Sequence, residues 1–333
     1  MILKKITAAG GKNWTQSNGT DKLWYRSLCV TPTGRIIAGS DRGIWYSDDN
    51  GINWTQLNKT DELWYSLCVT PTGRIIAGSS GAGIWYSDDN GINWTQSNMT
   101  DGHWLSLCVT PTGRIIAGSE AGIWYSDDNG INWAQSNKTD ELWYSLCVTP
   151  TGRIIAGGNV KAGIWYSDDN GINWTQSNHI GYSYSLCVTP TGRIIEGSEA
   201  GIWYSDDNGR NWEQTNADGI NGAQINYRER TWYSLCVTPT GRIIAGSGSG
   251  KGIRYSDDNG INWAQSNKKD RLRKSLCVTP TGRIIAGGCE AGIWYSDPEY
   301  TAVCTKYLDQ NGAKEIITQF KAYCDSLVGG VKI

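Results

Sequence analysis

The chain has 333 residues, and its 30 basic and 32 acidic side chains leave a formal net charge of −2 at pH 7. A surface this balanced has no global field that would attract a polyanion, so we expect no nucleic-acid partner. Eighteen Trp and 17 Tyr stand against a single Phe, so the aromatic content is concentrated in two residue types.

The beginning of the chain contains no recognisable export or membrane signal. Residues Met1 to Lys12 include three lysines but no apolar run long enough for a signal peptide or a spanning helix. We therefore expect synthesis in the cytoplasm without a signal peptide, and no insertion into a membrane.

One cassette of about 40 residues recurs seven times and makes up most of the chain. Its phrase Ser-Leu-Cys-Val-Thr-Pro-Thr-Gly-Arg-Ile-Ile begins at Ser27, Ser66, Ser106, Ser145, Ser185, Ser234 and Ser275. The intervals are 39, 40, 39, 40, 49 and 41 residues. Strand-like runs and turn signals at this period, without runs at helical spacing, predict the blades of a β-propeller.

The second cassette shows how one blade is built. A mostly apolar run from Trp64 to Thr70 predicts an inner strand that is covered on both faces. The turn Thr70-Pro71-Thr72-Gly73 follows, because Pro presets the first corner and Gly tolerates the left-handed conformation. Further strands are predicted at residues 74–78, 83–87 and 93–96, with a turn at Asp88–Gly91. Each cassette therefore forms four short antiparallel strands.

The segment Ser87-Asp88-Asp89-Asn90-Gly91-Ile92-Asn93-Trp94 resembles an Asp-box, also called the BNR repeat, and recurs from Ser47, Ser126, Ser167, Ser205 and Ser256. The Asp at its third position accepts backbone N–H bonds across the hairpin, which makes it structural. The predicted structural residues are Asp49, Asp89, Asp128, Asp169, Asp207 and Asp258. The chain departs from the pattern by placing Asn where Thr or Ser is usual. The resemblance implies a fold shared by sialidases, other glycosidases, sorting receptors and lectin-like modules.

The two ends of the repeat region complement each other. The seventh cassette stops at Pro298 before its outer strand, whereas Gly11 to Asn18 is an isolated turn followed by an outer strand. We expect the N-terminal strand to complete the last blade, which leaves no free sheet edges. The prediction is an all-β, seven-bladed propeller of four-stranded antiparallel blades over residues 1–297, followed by a short helical tail at 298–333.

Seven cysteines occupy the same position in each cassette: Cys29, Cys68, Cys108, Cys147, Cys187, Cys236 and Cys277. Equivalent positions on packed sheets lie roughly 10 Å apart, whereas a disulfide needs Cα atoms within about 7 Å. We expect free, buried thiols. With only two His and no Cys/His cluster, no metal and no cofactor are expected. Cys289, Cys304 and Cys324 lie outside the pattern.

The two faces of the ring differ in how much the copies vary. The Thr-Pro-Thr-Gly and Asp-box turns share one face, here the Asp-box face, and are almost identical in every blade. The loop between strands two and three and the crossover to the next blade share the other, here the crossover face, which holds nearly all the variation. A ligand that binds the crossover face would explain the difference, but so would drift in loops that tolerate substitution.

Large aromatic side chains stand near the crossovers and are the candidate ligand-binding residues: Trp24, Trp64, Trp104, Trp143, Tyr182 and Trp232. Sugars bind well by stacking on such rings. The alternative is that the tryptophans are core, because burying one removes about 150–250 Å² of apolar surface from water. The sequence leaves both interpretations open.

The resemblance to sialidases would imply unique arginines, a Tyr/Glu nucleophile pair and an acidic Asp, and these are not found. The regular arginines, Arg35 to Arg283, recur in every blade, and Glu196 is an isolated acid where sister blades have Ala38 or Ala77. We therefore expect no catalytic residues and no enzyme. Near sevenfold repetition favours a multivalent, lectin-like module that binds a cell-surface glycan. The alternatives are a protein–protein interaction scaffold and, less favoured, a degenerate sialidase-like glycosidase.

The tail contains one predicted helix, from Ala313 to Val328, with an apolar stripe that includes Ile316, Phe320 and Leu327. At about four turns it needs a packing partner, which could be the last blade or a second copy in a homo-oligomer. The segment Lys306 to Gly329 is similar to segments of phage and prophage tail-fibre proteins. That resemblance implies a virion-associated, receptor-binding propeller.

Overall fold

The computed structural model describes residues 10–18, 24–57, 62–138, 140–215, 231–248, 252–267, 275–288 and 292–298, with the side chains of 24–26 excepted. The predicted helical tail and Cys289, Cys304 and Cys324 therefore lie outside the described residues. None of the described residues forms a helix that is long and apolar enough to cross a bilayer.

The described residues form seven four-stranded antiparallel sheets, which confirms the predicted seven-bladed propeller. Strand β1 (Trp14–Gln16) belongs to the last blade. Blade 1 contains β2 (Trp24–Val30), β3 (Ile36–Ser40), β4 (Gly43–Ser47) and β5 (Thr55–Gln56). Blade 2 contains β6 (Trp64–Val69), β7 (Ile75–Ser79), β8 (Ile84–Ser87) and β9 (Thr95–Gln96). Blade 3 contains β10 (Trp104–Val109), β11 (Ile115–Ser119), β12 (Gly122–Ser126) and β13 (Ala134–Gln135).

The remaining blades repeat this order. Blade 4 contains β14 (Trp143–Val148), β15 (Ile154–Gly158), β16 (Ile164–Ser167) and β17 (Thr175–Gln176). Blade 5 contains β18 (Ser183–Val188), β19 (Ile194–Ser198), β20 (Gly201–Ser205) and β21 (Glu213–Gln214). Blade 6 contains β22 (Trp232–Val237), β23 (Ile243–Ser247), β24 (Ile253–Ser256) and β25 (Ala264–Gln265). Blade 7 contains β26 (Ser275–Val278), β27 (Ile284–Gly287) and β28 (Ile293–Ser296).

The hydrophobic core lies between blades rather than within them. The second strand of each blade is buried along its whole length, because both of its faces are covered by neighbouring sheets. In one such cluster Ile37 and Ile44 of blade 1 pack on Trp64, Ile75 and Ala77 of blade 2. Each blade is therefore stable only with its neighbours, as expected of a repeat architecture.

The ring is closed by the two ends of the repeat region, as predicted. Strand β1 pairs antiparallel with β28, with Trp14 opposite Ser296 and Gln16 opposite Trp294. The indole N–H of Trp14 donates to the carbonyl of Gly11 at 3.0 Å, so this fragment also forms the Asp-box type of hairpin. Closure pairs an edge of the last sheet that would otherwise be exposed.

Candidate ligand-binding site

The Asp-box turns are held by their predicted carboxylates. Asp89 Oδ1 accepts the backbone N–H of Asn93 at 2.8 Å and the hydroxyl of Ser87 at 2.9 Å. Its Oδ2 accepts the side-chain amide of Asn93 at 2.7 Å, a bond that explains why Asn can replace the usual Thr. Gly91 has a positive φ of 91°, which favours glycine at this position. Corresponding contacts hold Asp49, Asp128, Asp169, Asp207 and Asp258.

These contacts change the acidity of the Asp-box carboxyls. Partial burial acts to raise the pKa of Asp89, but the hydrogen bonds from Asn93 and Ser87 outweigh it and the pKa is lowered. The same causes lower the pKa of Asp128, with donors from Asn132 and Ser126. The hydrogen bonds that hold these turns are therefore made to the ionised carboxylates of Asp89 and Asp128.

The repeated arginines join neighbouring blades on the Asp-box face. Arg153 donates from Nε and Nη2 to the two carboxylate oxygens of Asp168, at 2.7 Å each, within blade 4. Its Nη1 donates to the carbonyl of Asn208 in blade 5 at 2.9 Å, and its guanidinium lies 4.2 Å from the ring centroid of Tyr166. At the closure, Arg242 donates in the same way to the carbonyl of Gly10 at 2.6 Å. The arginines are thus structural, as their repetition indicated.

The opposite end of the ring opens into the central channel. A cavity of about 240 Å³ is lined there by residues near the start of the inner strands, such as Tyr144, Ser145 and Leu146. Its rim consists of the second residues of five inner strands, β6, β10, β14, β18 and β22. These residues are Tyr65, Leu105, Tyr144, Tyr184 and Tyr233. We call this region the channel mouth.

A β-bulge explains why these five residues reach the channel. In blade 4 the register shifts between Trp143 and Ser145, so that Tyr144 has no partner in the ladder with β15. The flanking Trp143 and Ser145 are buried, while Tyr144 is half-buried and lines the channel. The same shift occurs around Tyr65, Leu105, Tyr184 and Tyr233. Bulges commonly re-aim a side chain in this way.

Aromatic side chains at the channel mouth are concentrated in one sector, which we call the tyrosine sector: Tyr144, Tyr182, Tyr184 and Tyr233. The rings of Tyr182 and Tyr184 are nearly parallel, at 4° and 5.8 Å between centroids. The Tyr184 centroid lies 5.9 Å from that of Tyr144 and 4.8 Å from that of Tyr233. Burial, followed by the neighbouring Tyr233 and Glu199, raises the pKa of Tyr184, so its phenol is a neutral hydrogen-bond donor at physiological pH.

The structure places the predicted ligand-binding tryptophans in the core. Trp64, Trp104, Trp143 and Trp232 are 1%, 3%, 0% and 0% exposed, which does not fit the expected stacking of a ligand on their rings. Core packing is the physical reason: Trp104 lies in one cluster with Ile76 and Ile84 of blade 2, and its ring centroid lies 6.0 Å from Trp124 and 6.3 Å from Trp133 of its own blade. The side chain of Trp24 lies outside the described residues. Of the six candidates, Tyr182 is the one that the structure brings to the tyrosine sector.

Glu196, for which the sequence named no partner, forms a buried pair with a histidine from the preceding crossover. His179 Nε2 lies 2.9 Å from Glu196 Oε2, and the carboxylate side chain is completely buried. The imidazole packs on the ring of Trp203, 4.6 Å between centroids. The sequence signal was the replacement of Ala by Glu at one of seven repeated positions, but its partner is 17 residues away and could not be identified from spacing.

The seven repeated cysteines are free thiols, as predicted. Each one contributes to a different cluster between two neighbouring blades. Burial raises the pKa of Cys108, Cys187 and Cys277 to about 12, so these groups remain protonated and behave as small apolar side chains.

Comparisons with known proteins agree with this architecture. The family profile described as "BNR/Asp-box repeat" matches residues 45–56, 85–96, 124–135, 165–176, 203–214 and 254–265, so the chain contains six such repeats. Comparison with curated protein sequences returns no match.

Solved structures of diverse proteins share the fold. A structure of YCF48 bound to D1 peptide is 17% identical, with a TM-score of 0.68, over 91% of this chain and 99% of that one. The extracellular domain of a hybrid two component system from B. thetaiotaomicron is 12% identical, with a TM-score of 0.69, over 86% of this chain and 41% of that one. A catalytically inactive virginiamycin B lyase from Staphylococcus aureus, with quinupristin, is 12% identical, with a TM-score of 0.67, over 85% of this chain and 98% of that one. At these identities the likeness concerns the fold alone.

Proposed function

We propose that the protein is a non-catalytic recognition module that binds a neutral glycan at the channel mouth. The observation that carries this proposal is the chemistry of the described lining, which consists of Tyr, Leu and Ser side chains without a charged group. Binding sites for small ligands are concave, mostly apolar, and carry a few well-placed polar groups. The channel mouth shares the concave shape, but its exposed lining is mainly polar, which suits a ligand rich in hydroxyl groups.

Tyrosine suits a sugar because it combines two properties. Its ring offers an apolar face on which the C–H face of a pyranose can stack, and its phenol offers a hydrogen bond to a sugar hydroxyl. Tyr144, Tyr184 and Tyr233 present such rings at one side of the mouth, and Tyr182 extends the surface outward.

The charges nearby favour a neutral sugar over an acidic one. Glu199, in the turn between β19 and β20, is close enough to Tyr184 to raise its pKa. Burial raises the pKa of Glu199 itself. The arginine guanidinium groups described above are paired on the opposite face, where Arg153 and Arg242 hold Asp168 and Asp257. Among the described residues, a sialic acid would therefore meet Glu199 near the mouth, whereas no described cation lines the cavity.

The distribution of tyrosines supports one principal site. Near sevenfold repetition favoured several equivalent sites, but the described rim has Leu105 in blade 3, between Tyr65 of blade 2 and the tyrosines of blades 4 to 6. The four tyrosines of the sector come from blades 4, 5 and 6 and their crossovers. We therefore replace the multivalent interpretation with a single asymmetric site on a repeated scaffold.

A protein ligand is the second candidate, because apolar side chains extend the tyrosine sector over the crossover face. Ile180 is 69% exposed and Val160 is 43% exposed. Ile180 is two residues from Tyr182, and contiguous apolar surface of this kind is typical of interaction sites. The related fold seen in YCF48 bound to D1 peptide is compatible with a peptide ligand, although that peptide is a property of YCF48.

The test is binding of the whole protein to an array of neutral oligosaccharides and bacterial polysaccharides, followed by calorimetry on the sugars that bind. We expect Tyr184→Ala and Tyr144→Ala to weaken binding at least tenfold. Tyr125→Ala is the matched control, because Tyr125 lies 4.3 Å from the guanidinium of Arg114 on the opposite face. It should leave the affinity unchanged.

Two results would contradict the proposal. If folded protein binds no sugar on the array but binds peptides from a library, the site recognises protein. If a sugar binds and Tyr184→Ala does not change its affinity, the site lies elsewhere on the ring. Release of a reducing sugar from any of these oligosaccharides would contradict the non-catalytic part.

A further inference from the structure

Blade 5 differs from its sister blades at three positions that meet in one place. Ser183 begins β18 opposite Ser198, where the corresponding pair in blade 3 is Trp104 opposite Ser119. Glu196 stands opposite Leu186, where blade 3 has Ala117 opposite Leu107. A large indole has thus been lost and a carboxylate gained within one interface between blades.

The third difference is His179, which corresponds to Met99 before blade 3. The carbonyls of both residues accept a hydrogen bond from the third strand of the preceding blade, from Ile164 and Ile84 respectively. Met99 packs in the cluster that contains Trp104, whereas blade 5 has Ser183 at the position of that tryptophan. The backbone is therefore the same, and only the group that fills the interface has changed.

The imidazole of His179 occupies the place that an indole takes elsewhere. In blade 3 the Trp104 ring lies 6.0 Å from Trp124 and 6.3 Å from Trp133. In blade 5 the His179 ring lies 4.6 Å from Trp203 and 5.9 Å from Trp212, the corresponding tryptophans. A polar pair thus substitutes for an apolar ring as the filler of this interface.

A buried Glu–His pair is not the most stabilising way to fill a core. Removing an ion pair from water costs several kcal/mol per ion, and apolar residues of similar volume are often equally or more stabilising. Glu196 is fully buried, and within the described residues no hydrogen bond reaches its two carboxylate oxygens or the Ser183 hydroxyl, so the 2.9 Å contact with His179 is the close polar contact of Glu196. Five sister blades have Trp at the position of Ser183 and all six have Ala at the position of Glu196, so the exception calls for a role other than stability.

The segment that the pair supports carries the tyrosine sector. Ser183, the first residue of β18, is completely buried, and the half-buried Tyr182 and Tyr184 flank it with their rings on the same side of the backbone. Their rings are accordingly stacked at 5.8 Å. This segment passes close to the histidine, because a Cβ at Gly181 would lie in ordinary van der Waals contact with His179 Nε2, at 3.9 Å.

We infer that the His179–Glu196 pair, together with the small Ser183, is a positioning device that fixes the stacked Tyr182 and Tyr184 rings for ligand binding. The inference rests on the proposed function, in which those rings bind the ligand. Supporting residues behind a site hold its contact residues in the productive geometry. The pair itself is buried and acts through the tyrosines.

The test compares Glu196→Ala with Glu196→Gln in the full-length protein. The alanine removes the partner of His179, whereas glutamine keeps its size and a hydrogen-bond acceptor. We expect Glu196→Ala to weaken sugar binding at least tenfold while melting remains cooperative, and Glu196→Gln to restore most of the affinity. Met99→Ala removes the corresponding filler from another blade and should not change the affinity.

A second readout needs no ligand. With 3-fluorotyrosine incorporated, the ¹⁹F resonances of Tyr182 and Tyr184 can be assigned from Tyr182→Phe and Tyr184→Phe. We expect both to shift or broaden in Glu196→Ala, and to be unchanged in Met99→Ala. If wild-type protein binds no sugar, the proposed function fails, and these spectra still decide whether the pair positions the rings.

A triple variant controls for the case in which a single substitution abolishes binding only because it disrupts folding. His179→Met, Ser183→Trp and Glu196→Ala together recreate the residues of blade 3, so the variant should fold and be at least as stable as the wild type. We expect it to lose binding and to change both tyrosine resonances. Wild-type affinity or unchanged resonances in this variant, or in Glu196→Ala, would overturn the inference.

Discussion

The two faces of the propeller are built from the same seven cassettes, yet they differ in whether the residues of one blade can vary independently of the other blades. On the Asp-box face the arginines of blades 1 to 6 bond both to their own blade and to the next, as Arg153 does with Asp168 and Asn208. On the crossover face some contacts are specific to one crossover and the loop beside it, as between Ser80 Oγ and His103 Nδ1 at 2.7 Å. A change in the arginine network therefore breaks a repeated contact between two blades, whereas a crossover contact of this kind can change without counterparts in the other blades.

This difference explains why the residues of the Asp-box face are repeated in the blades and, separately, why those of the crossover face vary. A network that continues around the ring needs the same donor and acceptor in every blade, so its residues stay identical. The crossover face has no such requirement. In blade 5, Ser183 stands where sister blades have a tryptophan, and Tyr182 lies beside Tyr184. Departures from the repeat, rather than the repeat itself, mark the candidate site.

The largest expected effect is the difference between substitutions of two adjacent residues at the crossover end of blade 4. Trp143 is completely buried, whereas Tyr144 is half-buried and lines the channel. Trp143→Ala should lower the free energy of unfolding by about 3–5 kcal/mol, the usual cost of deleting a large core ring. Tyr144→Ala should cost less than about 1.5 kcal/mol and weaken sugar binding about tenfold, or ~1.4 kcal/mol.

Denaturant unfolding and calorimetric titration of both variants measure the two effects. Trp143→Phe is the control, because it keeps an aromatic ring in the interface between blades and should recover part of the lost stability. A Trp143→Ala variant with normal stability and lost binding would restore the original prediction that this indole contacts the ligand.

The Asp-box face should show the opposite behaviour, with a loss of stability and no loss of binding. Arg153 is 4% exposed, and Arg153→Ala removes two bonds to Asp168, one to Asn208 and the contact with Tyr166. Because Asp168 is 61% exposed, water can solvate the carboxylate that is left. The expected loss is therefore about 2 kcal/mol, below the value for a fully buried pair.

Arg153→Lys provides a matched comparison, since lysine keeps the charge but cannot form the two parallel bonds to Asp168. It should lie between the wild type and Arg153→Ala in denaturant unfolding. Weaker sugar binding by either variant, measured under conditions where both are folded, would show that the two faces are energetically coupled.

The fold was predictable because its signals are repeated and local. Asp89 and Gly91 specify a turn within eight residues, and the period and the broken last cassette specify the blade number and the closure through Trp14. The site was harder to predict because it depends on a bulge and on distant residues. Alternation alone does not reveal that Tyr144 leaves the ladder, and the contact of His179 with Glu196 depends on the packing of two blades.

The smallest expected effect concerns pH and again falls on the Asp-box face. The pKa of the Asp128 carboxyl is lowered in the folded protein relative to the unfolded value of about 3.9. The unfolded chain therefore binds more protons in this range, so stability is fully present above about pH 5 and is lost as the pH falls through the folded pKa. Asp128→Asn should cost about 1 kcal/mol at pH 7, because it replaces hydrogen bonds to a charged acceptor.

The same substitution should make the dependence of stability on pH shallower between about pH 4 and 2, since one titrating carboxyl has been removed. Adding Asp207→Asn, in another blade, should remove a similar further amount, because distant sites act independently. Denaturant unfolding at several pH values measures both slopes. Equal slopes for the wild type and the double variant would mean that the Asp-box carboxylates do not link folding to protons. If the slopes differ as expected while sugar affinity at pH 7 is unchanged, the Asp-box face maintains the ring without taking part in recognition.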